Sequence, residues 1–154
     1  MSAVKLVENI PLNTQAIAKL ISDREDLYLV WPLAKYPFDH DQWKAILSPQ
    51  LGNKPFLVYE KDGMIGHAAL CMTEEPHVFS ISFLYLAPHL RSQGLGKKLI
   101  ALLEEYARKR LTAEKLVLVA RSYNPRALNC YTRCGFQKVG RHGTLIRMSK
   151  TLHR

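Results

Sequence analysis

The sequence predicts an α/β domain, a mixed and mostly antiparallel sheet flanked by about four helices. Three observations carry that expectation. Strand patterns at 56–60, 65–73 and 77–86 follow one another across short polar turns, which reads as an antiparallel meander. The strand patterns after them alternate with helical ones. With 154 residues, 47% apolar and 23% charged, the chain is sized for one core, so residues 1–154 are expected to form a single domain.

The first strand is expected over residues 3–10. Asn13 or Thr14 can cap a short helix carrying Ile17, Leu20 and Ile21. The run Ser22-Asp23-Arg24-Glu25-Asp26 breaks it. Beyond Leu27, the pairs Trp31-Pro32 and Tyr36-Pro37 force extended backbone before each proline. An aromatic-lined loop is expected there, with at most a helical turn around Leu27 to Val30. Asp39 with Gln42 three residues later is a capping-box-like start for a helix reaching Leu47, and Phe38 would be its staple residue. Pro49 to Pro55 reads as a loop, and Lys61-Asp62-Gly63 as a tight turn. In the third meander strand, alternation puts Phe79, Ile81 and Phe83 on one face and Ser80, Ser82 and Leu84 on the other.

A helix from Gly96 to about Leu111 gathers Leu95, Leu99, Leu102, Leu103, Tyr106 and Ala107 on one stripe. Glu104–Arg108 and Glu105–Lys109 stand at i,i+4. Lys115 to Ala120 reads as a buried strand. Asn124-Pro125 reads as an N-cap and first helical residue, and Gly135 closes that helix. Strands at 136–139 and 145–149 complete the order β-α-α-β-β-β-α-β-α-β-β.

Composition narrows the function. No apolar run reaches the ~18 residues of a membrane span, and the first residues lack a signal peptide's basic start and apolar region. Three cysteines do not make a disulfide framework. A cytoplasmic location is the expectation, with no membrane partner. Cys130 and Cys134 lie one helical turn apart, no further ligands are spaced to complete a metal site, and no metal is expected.

The chemistry concentrates at Leu84-Tyr85-Leu86-Ala87-Pro88-His89-Leu90-Arg91-Ser92-Gln93-Gly94-Leu95-Gly96-Lys97, where a strand feeds a glycine-bearing turn and then a helix. The first N–H groups of a helix have no intrahelical partner and carry partial positive charge, so an anion can fill the site. Glycine lets its oxygens approach the backbone. The spacing is not that of a P-loop, and Leu99 stands where a dinucleotide fingerprint needs its third glycine. What remains is Arg91-x-x-Gly94-x-Gly96. It resembles the pyrophosphate loop R/Q-x-x-G-x-G/A of the GNAT N-acetyltransferases, which holds coenzyme A. Roughly thirty residues on, Asn124-Pro125-Arg126-Ala127-Leu128-Asn129-Cys130-Tyr131-Thr132-Arg133-Cys134-Gly135-Phe136 resembles that superfamily's N-x-x-A-x-x-x-Y-x-x-x-G-F. The element order is similar too, so the resemblance spans nearly the whole chain.

The resemblance implies acetyl-CoA as cosubstrate and transfer to a primary amine, of a small molecule or a peptide, by direct attack in a ternary complex. The main chain of Leu84, Tyr85 and Leu86 would pair with the pantetheine arm. Arg91, Ser92, Gln93, Gly94, Leu95, Gly96 and Lys97 would take the pyrophosphate. Capping a carboxylate elsewhere is the other reading of Arg91. Lys97 is unfavourable at a helix start unless an anion sits there. Asn124 stands both as N-cap and as a pantetheine contact. Tyr131 matches the family's general acid, giving a proton to the leaving thiolate; on the helix alone, core packing is the better reading. Tyr28, Trp31, Tyr36 and Phe38 suit an apolar or peptide-like acceptor wall, and equally suit plugging the core. The segment departs from the family at one point: Phe79 to Leu86 holds no carboxylate where many members carry a glutamate base, and the base is unassigned.

The net charge of +9 is unevenly placed. Residues 1–90 carry 7 Lys/Arg against 10 Asp/Glu, and residues 91–154 carry 15 against 3. A basic half that begins at the glycine loop suits a polyanionic cofactor and leaves the acidic half for a cationic amine. Two rivals remain open. One is an acyl-CoA-binding module without turnover, suggested by the missing strand base. The other is a nucleic-acid-binding protein using the basic half, though no RNA-binding aromatic pattern is visible. The oligomeric state, a homodimer included, lies beyond the sequence.

Overall fold

The structure is a computed structural model and describes residues 4–61, 63–91 and 94–152. Ser92 and Gln93 of the glycine loop, Asp62 of the expected turn and Ala3 of the first strand lie outside the described residues. The elements are β1 (Val4–Glu8), α1 (Thr14–Leu20), α2 (Arg24–Val30), α3 (His40–Ile46), β2 (Lys54–Glu60), β3 (Gly63–Met72), β4 (Val78–Leu86), α4 (Leu95–Arg110), β5 (Lys115–Arg121), α5 (Pro125–Arg133), β6 (Gln137–His142) and β7 (Leu145–Thr151). The seven strands form one sheet in the order β1-β2-β3-β4-β5-β7-β6. Every neighbouring pair is antiparallel except β4 with β5.

Each face of the sheet carries its own core. Leu95, Leu99, Ile100, Leu103 and Ala107 of α4 pack on Phe56, Val58, Ala68, Leu70 and Leu116. Ile17 and Ile21 from the first helical segment, Leu27 of α2 and Trp43 and Leu47 of the α3 region cover the other face against Leu57, Ala69 and Tyr85. Tyr106 packs edge-on to Phe56 at 4.7 Å, and its hydroxyl donates to Glu8. Leu102 is half-buried and Ile100, absent from the expected stripe, is buried. β5 is not buried on both faces: its burial alternates, and Val119 is 52% exposed.

α2 is an additional helix. The acidic run expected only to break α1 also starts α2. The Asp23 carboxylate accepts from the N–H groups of Glu25 and Asp26, both at 3.1 Å, and those two acids sit where the helix dipole favours them. The helix ends at Trp31, extended as the following proline requires. Asp39 caps α3, and Phe38 stacks on Trp43 at 5.4 Å, the N′–N4 staple. The reciprocal half of the capping box is missing, because the Gln42 side chain spans the preceding loop. It accepts from Lys35 N–H at 2.8 Å and donates to the Leu33 carbonyl at 2.7 Å. Glu105 pairs with Lys109 as expected, whereas Glu104 pairs with Lys150 at 2.7 Å rather than with Arg108.

The expected alternation of β4 fails in the middle. His67 faces Tyr85 and Ala69 faces Ser82, so two steps along β3 match three along β4. One residue is inserted there, and Phe83 takes a φ of 53°. Phe79 and Ile81 therefore face the α4 core, but Phe83 and Tyr85 face the α1–α3 core and Leu84 and Leu86 return to the α4 side. Phe83 is accordingly not on the face of Phe79 and Ile81; it packs against Trp31 at 5.4 Å and Trp43 at 5.6 Å.

Candidate active site

β4 and β5 pair only at Val78–Lys115, Phe79–Leu116 and Ser80–Val117. Beyond Ser80 a cavity of about 980 Å³ opens between them, with Ser80 to Leu86 on one wall and Leu118 to Arg121 on the other. Parallel strands that part in this way leave main-chain N–H and C=O groups facing the gap, where an extended ligand can pair with them. Leu84, Tyr85 and Leu86 all lie on that wall. The inserted residue sits at the start of the separation.

The glycine loop closes one end. Gly94 is the N-cap of α4 at φ 80°, a left-handed conformation that suits glycine, and no side chain among the described residues caps the helix. The α1, α2, α3 and α5 helices are each capped by an Asn or Asp side chain. A Cβ at Gly94 would meet nothing within 4 Å, and one at Gly96 would meet only the Cys130 sulfur at 3.5 Å. The start of α4 therefore leaves room at both glycines, and Gly94, Gly96 and Lys97 line the cavity. The Leu95 side chain turns into the core. Such an end fits a diphosphate.

α5 forms the far wall. Asn124 Oδ1 accepts from Ala127 N–H at 3.2 Å, so it caps the helix, and it also lines the cavity. At the other end, Gly135 takes a φ of 98°, Phe136 N–H donates to the Tyr131 carbonyl at 3.0 Å and Gly135 N–H to the Thr132 carbonyl at 3.0 Å. This is a Schellman closure, with Tyr131 at C3 and Phe136 at C″ making the usual apolar contact at 6.3 Å between rings. The spacing Y-x-x-x-G-F thus has a mechanical meaning: it fixes the tyrosine at the helix end. The Tyr131 phenol is pushed up to about 12, first by burial and then by the Cys130 and Cys134 thiols. It keeps its proton across the neutral range and can act as a donor.

Arg91 leaves the loop sideways. Its Nε–H donates to the Leu86 carbonyl at 2.8 Å, its guanidinium lies 5.4 Å from the Tyr85 ring centre, and one terminal nitrogen stands 3.8 Å from Asp26. The Tyr85 hydroxyl donates to the other Asp26 oxygen at 3.2 Å. Burial and then the Asp26 carboxylate push the Tyr85 phenol up to about 12. Asp26 is the acidic residue that sequence reasoning missed. The signal was present in the Asp23 cap followed by acids, but its place on the cavity wall follows from how α2 docks on β4.

The four aromatic residues of the 28–38 segment separate. Trp31 lines the cavity, in T-shaped contact with Trp43 and Phe83. Tyr28 is 53% exposed and covered by Arg121, whose guanidinium lies 5.3 Å from the ring centre. Tyr36 is stacked by Arg24 at 4.6 Å, and Phe38 is occupied as the α3 staple. Tyr36 and Phe38 border a separate depression over residues 35–41. No helix among the described residues is long and apolar enough to cross a membrane.

Residues 17–136 match the acetyltransferase (GNAT) family. Acetyltransferase Atu2258 of Agrobacterium fabrum is 35% identical over 83 residues, 54% of this chain and 54% of that relative, so the match spans about half of the relative's length. The fold is similar to that of spermidine N-acetyltransferase from Vibrio cholerae, solved with CoA and spermine, at TM-score 0.76, 20% identity and coverage of 97% and 95% of the two chains. It is likewise similar to N-acetyltransferase PseH of Campylobacter jejuni, solved with acetyl coenzyme A, at TM-score 0.74, 22% identity and coverage of 98% and 100%.

Proposed function

Because the chain belongs to the acetyltransferase (GNAT) family, we propose that it is an N-acetyltransferase using acetyl-CoA and a primary amine, by direct attack in a ternary complex. The observation that carries this reading is the union of two features on one cavity: the start of α4, capped by no side chain among the described residues, at one end and Tyr131 on the α5 wall. Solved relatives of the same fold hold coenzyme A or its acetyl form, which supports the choice of cosubstrate.

The acetyl thioester supplies the acyl group; the chain's residues do the rest. The α4 amides and Lys97 hold the diphosphate. The β4 main chain from Leu84 to Leu86 aligns the pantetheine arm, and its N–H groups at the separation polarise the acetyl carbonyl. Asn124 caps α5 and faces the arm. The amine arrives neutral; its nitrogen bonds to the acetyl carbon as the C–S bond breaks. The Tyr131 hydroxyl gives its proton to the departing sulfur, and the proton shed by the new amide nitrogen returns through water to the Tyr131 oxygen. Ser80 and Ser82, hydrogen-bonded at 2.9 Å and both on the cavity wall, are placed to order that water. Trp31 forms part of the acceptor wall.

Tyr131→Phe tests the assignment. Free-thiol release in an amine screen should fall by roughly 10²-fold or more, while calorimetric binding of coenzyme A persists. Binding without turnover in the unaltered protein, across amines and short peptides, would favour the non-catalytic acyl-CoA module. Failure to bind coenzyme A would overturn both.

A further inference from the structure

Among the described residues that line the cavity, Asp26 is the single carboxylate, against Arg91, Lys97, Arg121, Arg126 and Arg133. The charges are sorted by element. Lys97 belongs to α4, Arg126 and Arg133 to α5, and Arg121 to the end of β5. Those cations complement a polyanionic cofactor; a carboxylate opposes one. Asp26 comes instead from α2, and the wall beside it is Leu29, Val30 and Trp31.

The internal partners of Asp26 do not use it up. A carboxylate offers about four acceptor sites. One is taken by the Tyr85 hydroxyl, at a long 3.2 Å. Arg91 forms an ion pair with Asp26 at 3.8 Å, outside hydrogen-bond distance, while its Nε–H donates to the Leu86 carbonyl. The Asp26 side chain keeps 17% of its surface open. A cation entering the cavity can reach it.

The amine that attacks a thioester is neutral at that moment, so a carboxylate gives it no charge pairing in the reacting complex. The carboxylate rewards an acceptor that retains a charge elsewhere. Resting on the acetyltransferase reading above, we propose that Asp26 determines acceptor specificity by pairing with a second, non-reacting ammonium. The preferred acceptors are then aliphatic diamines whose apolar stem lies along Leu29, Val30 and Trp31.

The test is calorimetric titration of amines into protein saturated with coenzyme A. Diaminobutane and diaminohexane are compared with butylamine and hexylamine. The diamines should bind about tenfold or more tightly than monoamines of equal length. Asp26→Asn, in protein that still binds coenzyme A, should abolish that difference. Equal affinity of the two classes in the unaltered protein overturns the proposal, with no variant needed. So does a diamine preference that survives Asp26→Asn, or the failure of the diamines to bind. Loss of coenzyme A binding by the unaltered protein is a separate result, which overturns the acetyltransferase reading and this one with it.

Discussion

His67 shows how much a single side chain can hold. It is fully buried on β3, and its Nδ1–H donates at 2.9 Å to the carbonyl of Phe83, the residue with positive φ in β4. Burial holds the imidazole at about 4, well below the ordinary 6.5. The folded state therefore resists a proton that the unfolded chain accepts. The stability contribution is complete above pH 6.5 and is lost as pH falls from 6.5 towards 4, by about 3 kcal/mol in all. Urea midpoints measured across that range should fall with pH. His67→Asn keeps a donor near Nδ1 but cannot titrate, and it should flatten that part of the curve. None of this was legible in the sequence, where His67 is one of six scattered histidines; its role depends on a register shift between two strands. The position of Tyr131 near the end of its helix was legible, because helix end and side chain are specified by the same short stretch; its proposed role came from the family resemblance alone. Asp26 was not, because a carboxylate becomes a cavity wall only once α2 has docked.

At the scale of elements, local signals read well and inserted residues read badly. The Asn13, Asp39 and Asn124 caps and the glycine closing α5 follow from side chains within a few positions of one another. The Gly135 closure yields a direct expectation. An alanine there must adopt φ near 98°, and its Cβ would stand 3.1 Å from the Lys150 Cε. Gly135→Ala should lower unfolding free energy by about 1–2 kcal/mol in urea titration. It should also lower kcat, because Tyr131 lies at the C3 position of the same motif. The first turn of α2 went unread, and only a helical turn around Leu27 to Val30 was expected, because the acidic run looks like a helix breaker when no partner surface is known. The β4 insertion went unread because alternation is the only guide to strand faces, and a single extra residue leaves no mark on composition.

For the molecule as a whole, the meander, the mixed sheet and the succession of strands along the chain follow from the pattern of turns and apolar runs, with one added helix; the order of strands across the sheet was not read. The uneven charge acquires a location. Among the described residues on the cavity, all five cations come from position 91 or later, and the one carboxylate comes from α2. A ligand that binds the folded state alone should therefore stabilise it. Coenzyme A at about a hundred times its dissociation constant contributes about 2.7 kcal/mol, which for a chain of this size raises Tm by roughly 5–10 °C. Thermal melts with and without coenzyme A check this, and added salt should shrink the shift.

The single supernumerary residue near Phe83 settles more than a local kink. A β-strand otherwise keeps odd and even positions on fixed sides, so one strand can serve two layers only by changing parity along its length. Excising one residue there would swap Tyr85 with Leu84 and Leu86 between layers, stranding a phenol among aliphatic side chains and taking Asp26 out of its reach. Homologous chains that dispense with the insertion would need a different residue set on both sides of the wedge.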